Sequence, residues 1–185
     1  FKLLDRSDSD FEEFTVDLSQ WGDGVKVLPA NIASKGVSTY LGVMPGALLS
    51  EIYNEFGQRL LESNVRTFLD FRAGTNRGMR KSLVQEPENF FAYNNGITVT
   101  ASSIKTQENV GQVYVTEIEN MQIVNGGQTT AAIYFSPRES GSIKGVSGEK
   151  RFKDIDLNEV FVQMKLTVVG DKKASDIMKA NIATF

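Results

Sequence analysis

A chain of 185 residues with 41% hydrophobic content can bury one sizeable core, and about 100 to 200 residues is usual for a domain, so one domain with at most an appended lobe is expected. The absence of cysteine excludes a disulfide framework and a thiolate zinc site; the absence of histidine removes the commonest general base, leaving carboxylates, Lys, Tyr or bound Mg²⁺ for any catalysis. The formal net charge of −3 is unevenly spread, at −5 over residues 1–24, +4 over 57–85 and +3 over 136–153, which permits a local anion-binding face on an acidic protein.

No apolar run approaches the roughly 20 residues that span a bilayer, and the N-terminus lacks a signal-peptide core, so a cytoplasmic protein with no membrane partner is expected. The missing initiator Met and the helical ending at Asn181 to Phe185 suggest a fragment of a longer polypeptide. Residues 1–46 form an acidic N-terminal segment with short strands, either part of the same domain or the end of a preceding lobe. Residues 47–185 form the core.

In chain order, Val25 to Ala30 and Val37 to Val43 read as short strands bracketed by glycine-containing turns. From Ala47 to Phe56, Leu48, Leu49, Ile52, Tyr53 and Phe56 recur at helical spacing, with Gly57 placed as the C-terminal stop. Gln58 to Phe71 fits helix or strand; a short extended piece over Val65 to Leu69 is the preferred reading. Thr75 can cap a helix from Asn76 to Gln85, with Met79 and Leu83 on one side, Arg77, Arg80 and Lys81 on the other, and Pro87 ending it.

Phe90 to Tyr93 and Ile97 to Ala101 flank Asn94-Asn95-Gly96. Asn-Gly is the strongest short hairpin signal, because both central residues of a type I′ turn need positive φ. The second Asn and the adjoining aromatics argue for more than a bare turn. Ile97 to Lys105 is expected to pair with Gln112 to Glu119 across a loop at Glu108 to Gly111, one face being buried. Met121 to Val124 then runs into Asn125-Gly126-Gly127-Gln128-Thr129-Thr130, after which Ala131 to Phe135 continue as a helix. A strand, a glycine corner and a helix start gather unpaired amides at the positive end of a helix dipole, which suits phosphate or carboxylate. Gly126 and Gly127 allow close backbone approach, and Thr129 or Thr130 can cap the helix. The alternative is a capped β-to-α turn without a ligand.

Further on, Val160 to Val168 alternate with Phe161, Gln163, Lys165 and Thr167. Gln163 and Lys165 therefore share one strand face, with Asp154 and Asp156 upstream, an arrangement by which Mg²⁺-dependent nucleases hold metal and polarise water. A half-exposed strand is the plainer explanation.

Phe90-Phe91-Ala92-Tyr93-Asn94-Asn95-Gly96-Ile97-Thr98 together with Gln122-Ile123-Val124-Asn125-Gly126-Gly127-Gln128-Thr129-Thr130 resembles the paired signature of the AIPR family, the abortive-infection phage-resistance proteins of bacteria. Arg59 to Arg66 and Asn76 to Leu83 resemble the family's LxxxNVRxxL and NxxIxxTL segments, so the resemblance runs from about Leu48 to the C-terminus. It implies a role in phage defence, often beside fused or neighbouring defence domains. In the family the helix starting near Ala174 continues into an Asn-x-Gln-Asn motif that this chain lacks. A fold-level analogy with the ParB and sulfiredoxin group places Thr129 and Thr130 where those proteins carry His and Arg, without their cationic phosphate clamp.

The expectation is an α/β or α+β domain with a mixed sheet flanked by helices. Its Asn94-Asn95-Gly96 and Asn125 to Thr130 corners would bind a phosphate-bearing ligand, nucleic acid first and nucleotide second. Asn95, Asn125 and Gln128 would supply directional hydrogen bonds, and Gly96, Gly126 and Gly127 the backbone approach. Arg66, Arg77 and Arg80 would supply a positive field. No cofactor is expected. The alternatives are a Mg²⁺-dependent nuclease using Asp156, Gln163 and Lys165, and a non-catalytic protein-binding sensor.

Overall fold

The structure is a computed structural model and describes residues 13–30, 36–61, 76–140 and 151–170. The strands are β1 (Thr15–Asp17), β2 (Val25–Pro29), β3 (Val37–Pro45), β4 (Ile97–Ala101), β5 (Ser103–Asn109), β6 (Gln112–Glu119), β7 (Gln122–Asn125) and β8 (Phe161–Val169). The helices are α1 (Gly46–Phe56), α2 (Asn76–Gln85), α3 (Phe90–Tyr93) and α4 (Gly127–Phe135). The Val65 to Leu69 piece, the Thr75 cap and the helix near Ala174 lie outside the described residues.

The eight strands of the described residues join one curled mixed sheet in the order β1-β6-β2-β3-β8-β4-β7, with β5 also on β6. Helices flank it. Every pairing is antiparallel except β4 with β8. The strands of residues 1–46 are hydrogen-bonded to those of the later chain, β2 to β6 and β3 to β8.

Helix α1 forms where the apolar period demands it. Leu48, Leu49, Ile52 and Tyr53 are buried, and at about 1.5–3 kcal/mol for each large apolar side chain taken from water this face anchors the helix. Gly57, at φ 56°, accepts the backbone twist that ends it, and its N–H bonds the Tyr53 carbonyl. Across the helix layer, the Tyr53 and Tyr134 rings of α1 and α4 lie 4.8 Å apart, and Tyr134 donates to Asn54 Oδ1 at 3.0 Å. In α2, Leu83 and Val84 face the core.

Three local expectations are corrected. Asn95-Gly96 does not close a hairpin: Phe90–Tyr93 is a single helical turn, α3, ended by Asn94. The expected pairing of Ile97 to Lys105 with Gln112 to Glu119 holds only for its second part. Strand β5 pairs with β6, whereas β4 turns away at Ser102 to lie between β7 and β8. The chain breaks there because Ser102 N–H donates to the Glu119 carbonyl at 3.0 Å and Asn120 Nδ2 to Ser102 Oγ at 3.0 Å. Last, α4 starts at Gly127 rather than Ala131, because Gly126 at φ 91° is its N-cap; neither threonine is.

Candidate functional site

The two Asn/Gly corners meet at one end of the sheet. Strand β4 leaves the first corner and β7 enters the second, and the two strands pair antiparallel, Thr98 opposite Asn125. The corners are packed directly on one another. A Cβ on Gly126 would lie 2.6 Å from the Gly96 carbonyl oxygen and 2.7 Å from Ile97 Cγ2, and one on Gly96 would lie 2.3 Å from the Gln163 carbonyl oxygen. Both glycines also have positive φ, 80° and 91°. Neither position has room for a side chain, so the backbones of the corners and of β8 share van der Waals contact.

Asn94 ties the corners together. Its Oδ1 accepts from Gly96 N–H at 2.8 Å and from Thr129 Oγ1 at 3.1 Å, while its Nδ2 donates to Met79 Sδ of α2 at 3.3 Å. Asn94 is 9% exposed and Thr129 is 6% exposed, so these polar groups are satisfied inside the protein. Thr130 is likewise turned inward, its Oγ1 donating to the Gly126 carbonyl at 3.1 Å. The first turn of α4 still carries amides that precede the first intrahelical bond, Thr130 N–H to the Gly126 carbonyl at 3.0 Å.

The candidate residues therefore divide. Asn94, Thr129 and Thr130 hold the corner's shape, and Gly96 and Gly127 are buried. Asn95 and Asn125 are exposed, while Gly126 and Gln128 are half-buried at the surface. Arg80 is not a solvent-facing charge: its guanidinium pairs with Glu139 and lies 4.5 Å from the centroid of the Phe152 ring. Arg66 and the side chain of Arg77 lie outside the described residues.

The parallel pairing of β4 with β8 brings a cation that sequence reasoning assigned elsewhere. Lys165 stands opposite Thr98, which stands opposite Asn125, so the three share one face of adjacent strands. Lys165 and Asn125 are exposed and Thr98 is half-buried. Thr98 was not among the expected site residues. Its only signal was the polar side of the alternation in β4, which reveals a face but not a neighbour. A register shift between Thr98 and Val99 breaks the regular ladder at this point.

Gln163 is exposed on the same face of β8 as Lys165, as their spacing predicts. Asp156 lies in the loop before β8, where its Oδ1 accepts from Asn158 N–H at 2.9 Å and Asn158 Nδ2 at 2.8 Å. Among the described residues there is no group of three or more His, Cys, Asp or Glu side chains that could hold a metal ion. None of their helices is long and apolar enough to cross a membrane.

Fold and site together define a mixed α/β domain whose two Asn/Gly corners are fused at one end of a curled sheet. A family model described as AIPR protein matches residues 61–184, and the chain belongs to the AIPR family. That membership suggests a role in abortive infection and phage defence. No curated protein and no solved structure matches the chain.

Proposed function

We propose that this AIPR-family chain serves phage defence in the cytoplasm by binding a phosphate-bearing ligand at the fused corners, nucleic acid first and nucleotide second. The observation that carries the reading is the packing of Gly126 against the Gly96 carbonyl oxygen. It brings two glycine-rich backbones, the α4 amides, and the exposed Asn95 and Asn125 to one place. Gly96 and Gly126 serve the packing of the corners on each other and on β8, and the oriented α4 amides with the exposed carboxamides are what a phosphate needs where Arg80 is already paired with Glu139. Fused or neighbouring defence domains would turn the binding event into a response.

The nuclease alternative has Gln163 and Lys165 on one face, but no described feature draws Asp156 towards them, so the binding reading is preferred. Thermal shift and salt-titrated binding with DNA, RNA and ATP test it. Asn125→Ala combined with Gln128→Ala should abolish binding while the melting temperature of the free protein holds. Unchanged binding in that double variant would refute the corner site.

A further inference from the structure

One cross-strand row runs through five strands of the sheet. Asn125 of β7 is opposite Thr98 of β4, Thr98 opposite Lys165 of β8, Lys165 opposite Leu41 of β3, and Leu41 opposite Leu28 of β2. Directly paired residues project on the same side, so the row is one continuous strip. At about 4.8 Å per strand it is about 19 Å long. It changes character along its length, from a carboxamide and a hydroxyl through a cation to two leucines.

The leucine end is open. Leu28 is 66% and Leu41 50% exposed, and beside them Val43 is 45% and Phe161 40% exposed. Val43 pairs with Gln163 and Phe161 with Pro45, so these side chains lie on the same face. Contiguous exposed apolar side chains of this kind mark a surface that binds something. The same face of β2, β3 and β8 carries Lys26 and Lys165 and no carboxylate. Among the described residues Lys165 has no ion-pair partner. On a chain of net charge −3 this is a local cationic and apolar surface.

We infer that this strip is the track of a single-stranded nucleic acid, with Lys165 as the cation on the phosphate held at the corners and the apolar side chains of β2, β3 and β8 receiving unstacked bases. The inference rests on the corner reading and narrows its ligand class. A duplex turns its phosphates outward and hides the base faces, so it has nothing to offer Leu28, Leu41 or Phe161. A free nucleotide is shorter than the strip. A second copy of this face would set Lys26 and Lys165 against the same charges. A single strand presents anionic and flat apolar surfaces side by side.

The test uses the full chain and four probes: a labelled oligothymidylate, the matching oligouridylate, the same length as duplex DNA, and ATP. Wild type should bind at least one single strand roughly tenfold or more tighter than the duplex or ATP. Lys165→Ala should weaken single-strand binding and lower the salt slope by about one, with Lys165→Arg restoring both. Leu41→Glu, at an exposed position, should weaken it roughly tenfold without lowering the melting temperature.

If the corner double variant Asn125→Ala/Gln128→Ala loses binding while Lys165→Ala and Leu41→Glu bind like wild type, the corner reading stands and the track is refuted. Equal affinity for duplex, or tight ATP binding independent of chain length, refutes it too. No binding of any probe by wild type overturns both. Self-association that Leu41→Glu abolishes, with single-strand affinity unaltered, makes the face a protein contact and contradicts the inference.

Discussion

Asn94 Oδ1 accepts hydrogen bonds from Gly96 N–H at 2.8 Å and Thr129 Oγ1 at 3.1 Å, so one buried carboxamide joins the turn before β4 to the first turn of α4. It adds to the β4–β7 pairing and the glycine packing in setting the corners' relative position. Thr129→Val keeps the shape and removes the hydroxyl; it should cost about 1 kcal/mol, whereas Asn94→Ala strands two donors and should cost about 2–3 kcal/mol. Urea unfolding of the two variants checks the order. Equal and negligible effects would mean that the bridge does not position the corners.

Substitution of the corner glycines should be far more damaging than their small size suggests. A Cβ at Gly126 meets the Gly96 carbonyl at 2.6 Å, and one at Gly96 meets the Gln163 carbonyl at 2.3 Å. Each would have to displace backbone. Gly96→Ala and Gly126→Ala should each cost at least about 3 kcal/mol. Gly78, in α2 with nothing within 4 Å, is the control: Gly78→Ala should stabilise by up to about 1 kcal/mol through helix propensity. Denaturation midpoints compare the three.

The β5–β6 hairpin turns at Val110 and Gly111, with φ of 50° and 70°, between the paired Asn109 and Gln112. Two positive φ values in a two-residue loop fit a type I′ turn. A β-branched residue is poorly suited to the first of them, and Val110 is 93% exposed, so packing gives nothing back. Val110→Asn should raise stability by about 1 kcal/mol, read as a higher melting temperature.

Asp17 carries the acid-side prediction. Its Oδ1 accepts from Ser19 Oγ at 2.6 Å and from Ser19 N–H at 2.8 Å. The hydroxyl first and the amide second hold the carboxyl below its ordinary value. A depressed folded value means stability present above the unfolded-state pKa and lost as pH falls through the folded one. Ser19→Ala should move the Asp17 titration upward towards the ordinary carboxylate value, followed by carboxyl chemical shift. An unmoved midpoint would show that the hydroxyl is not the cause.

The elements legible in the sequence are those whose period and punctuation agree. The stripe of Leu48, Leu49, Ile52 and Tyr53 with Gly57 after it defines α1, and the alternation of Val162, Met164 and Leu166 defines β8. The β5–β6 loop was legible from Asn109-Val110-Gly111. What alternation cannot show is the partner of a strand: Ile97 and Val99 show that β4 has a buried face, but the long-range pairing with β7 and β8 depends on the whole sheet. The same blindness separated Lys165 from Asn125. They stand forty residues apart in sequence and two strands apart in the sheet. Asn95-Gly96 misled because a hairpin turn and an Asx turn call on the same residues; Asn94 Oδ1 on Gly96 N–H decides for the second. The environment of Arg80 was equally hidden, since Glu139 and Phe152 approach it from later chain.

The central claim is that two corners distant in sequence act as one ligand site. An amide-resolved NMR titration of the chain with a short single-stranded oligonucleotide addresses it most directly. The Asn95 and Gly96 amides and the Gly126 to Thr129 amides should shift together and saturate with one dissociation constant. Movement of only one corner, or two corners saturating at different concentrations, would contradict it.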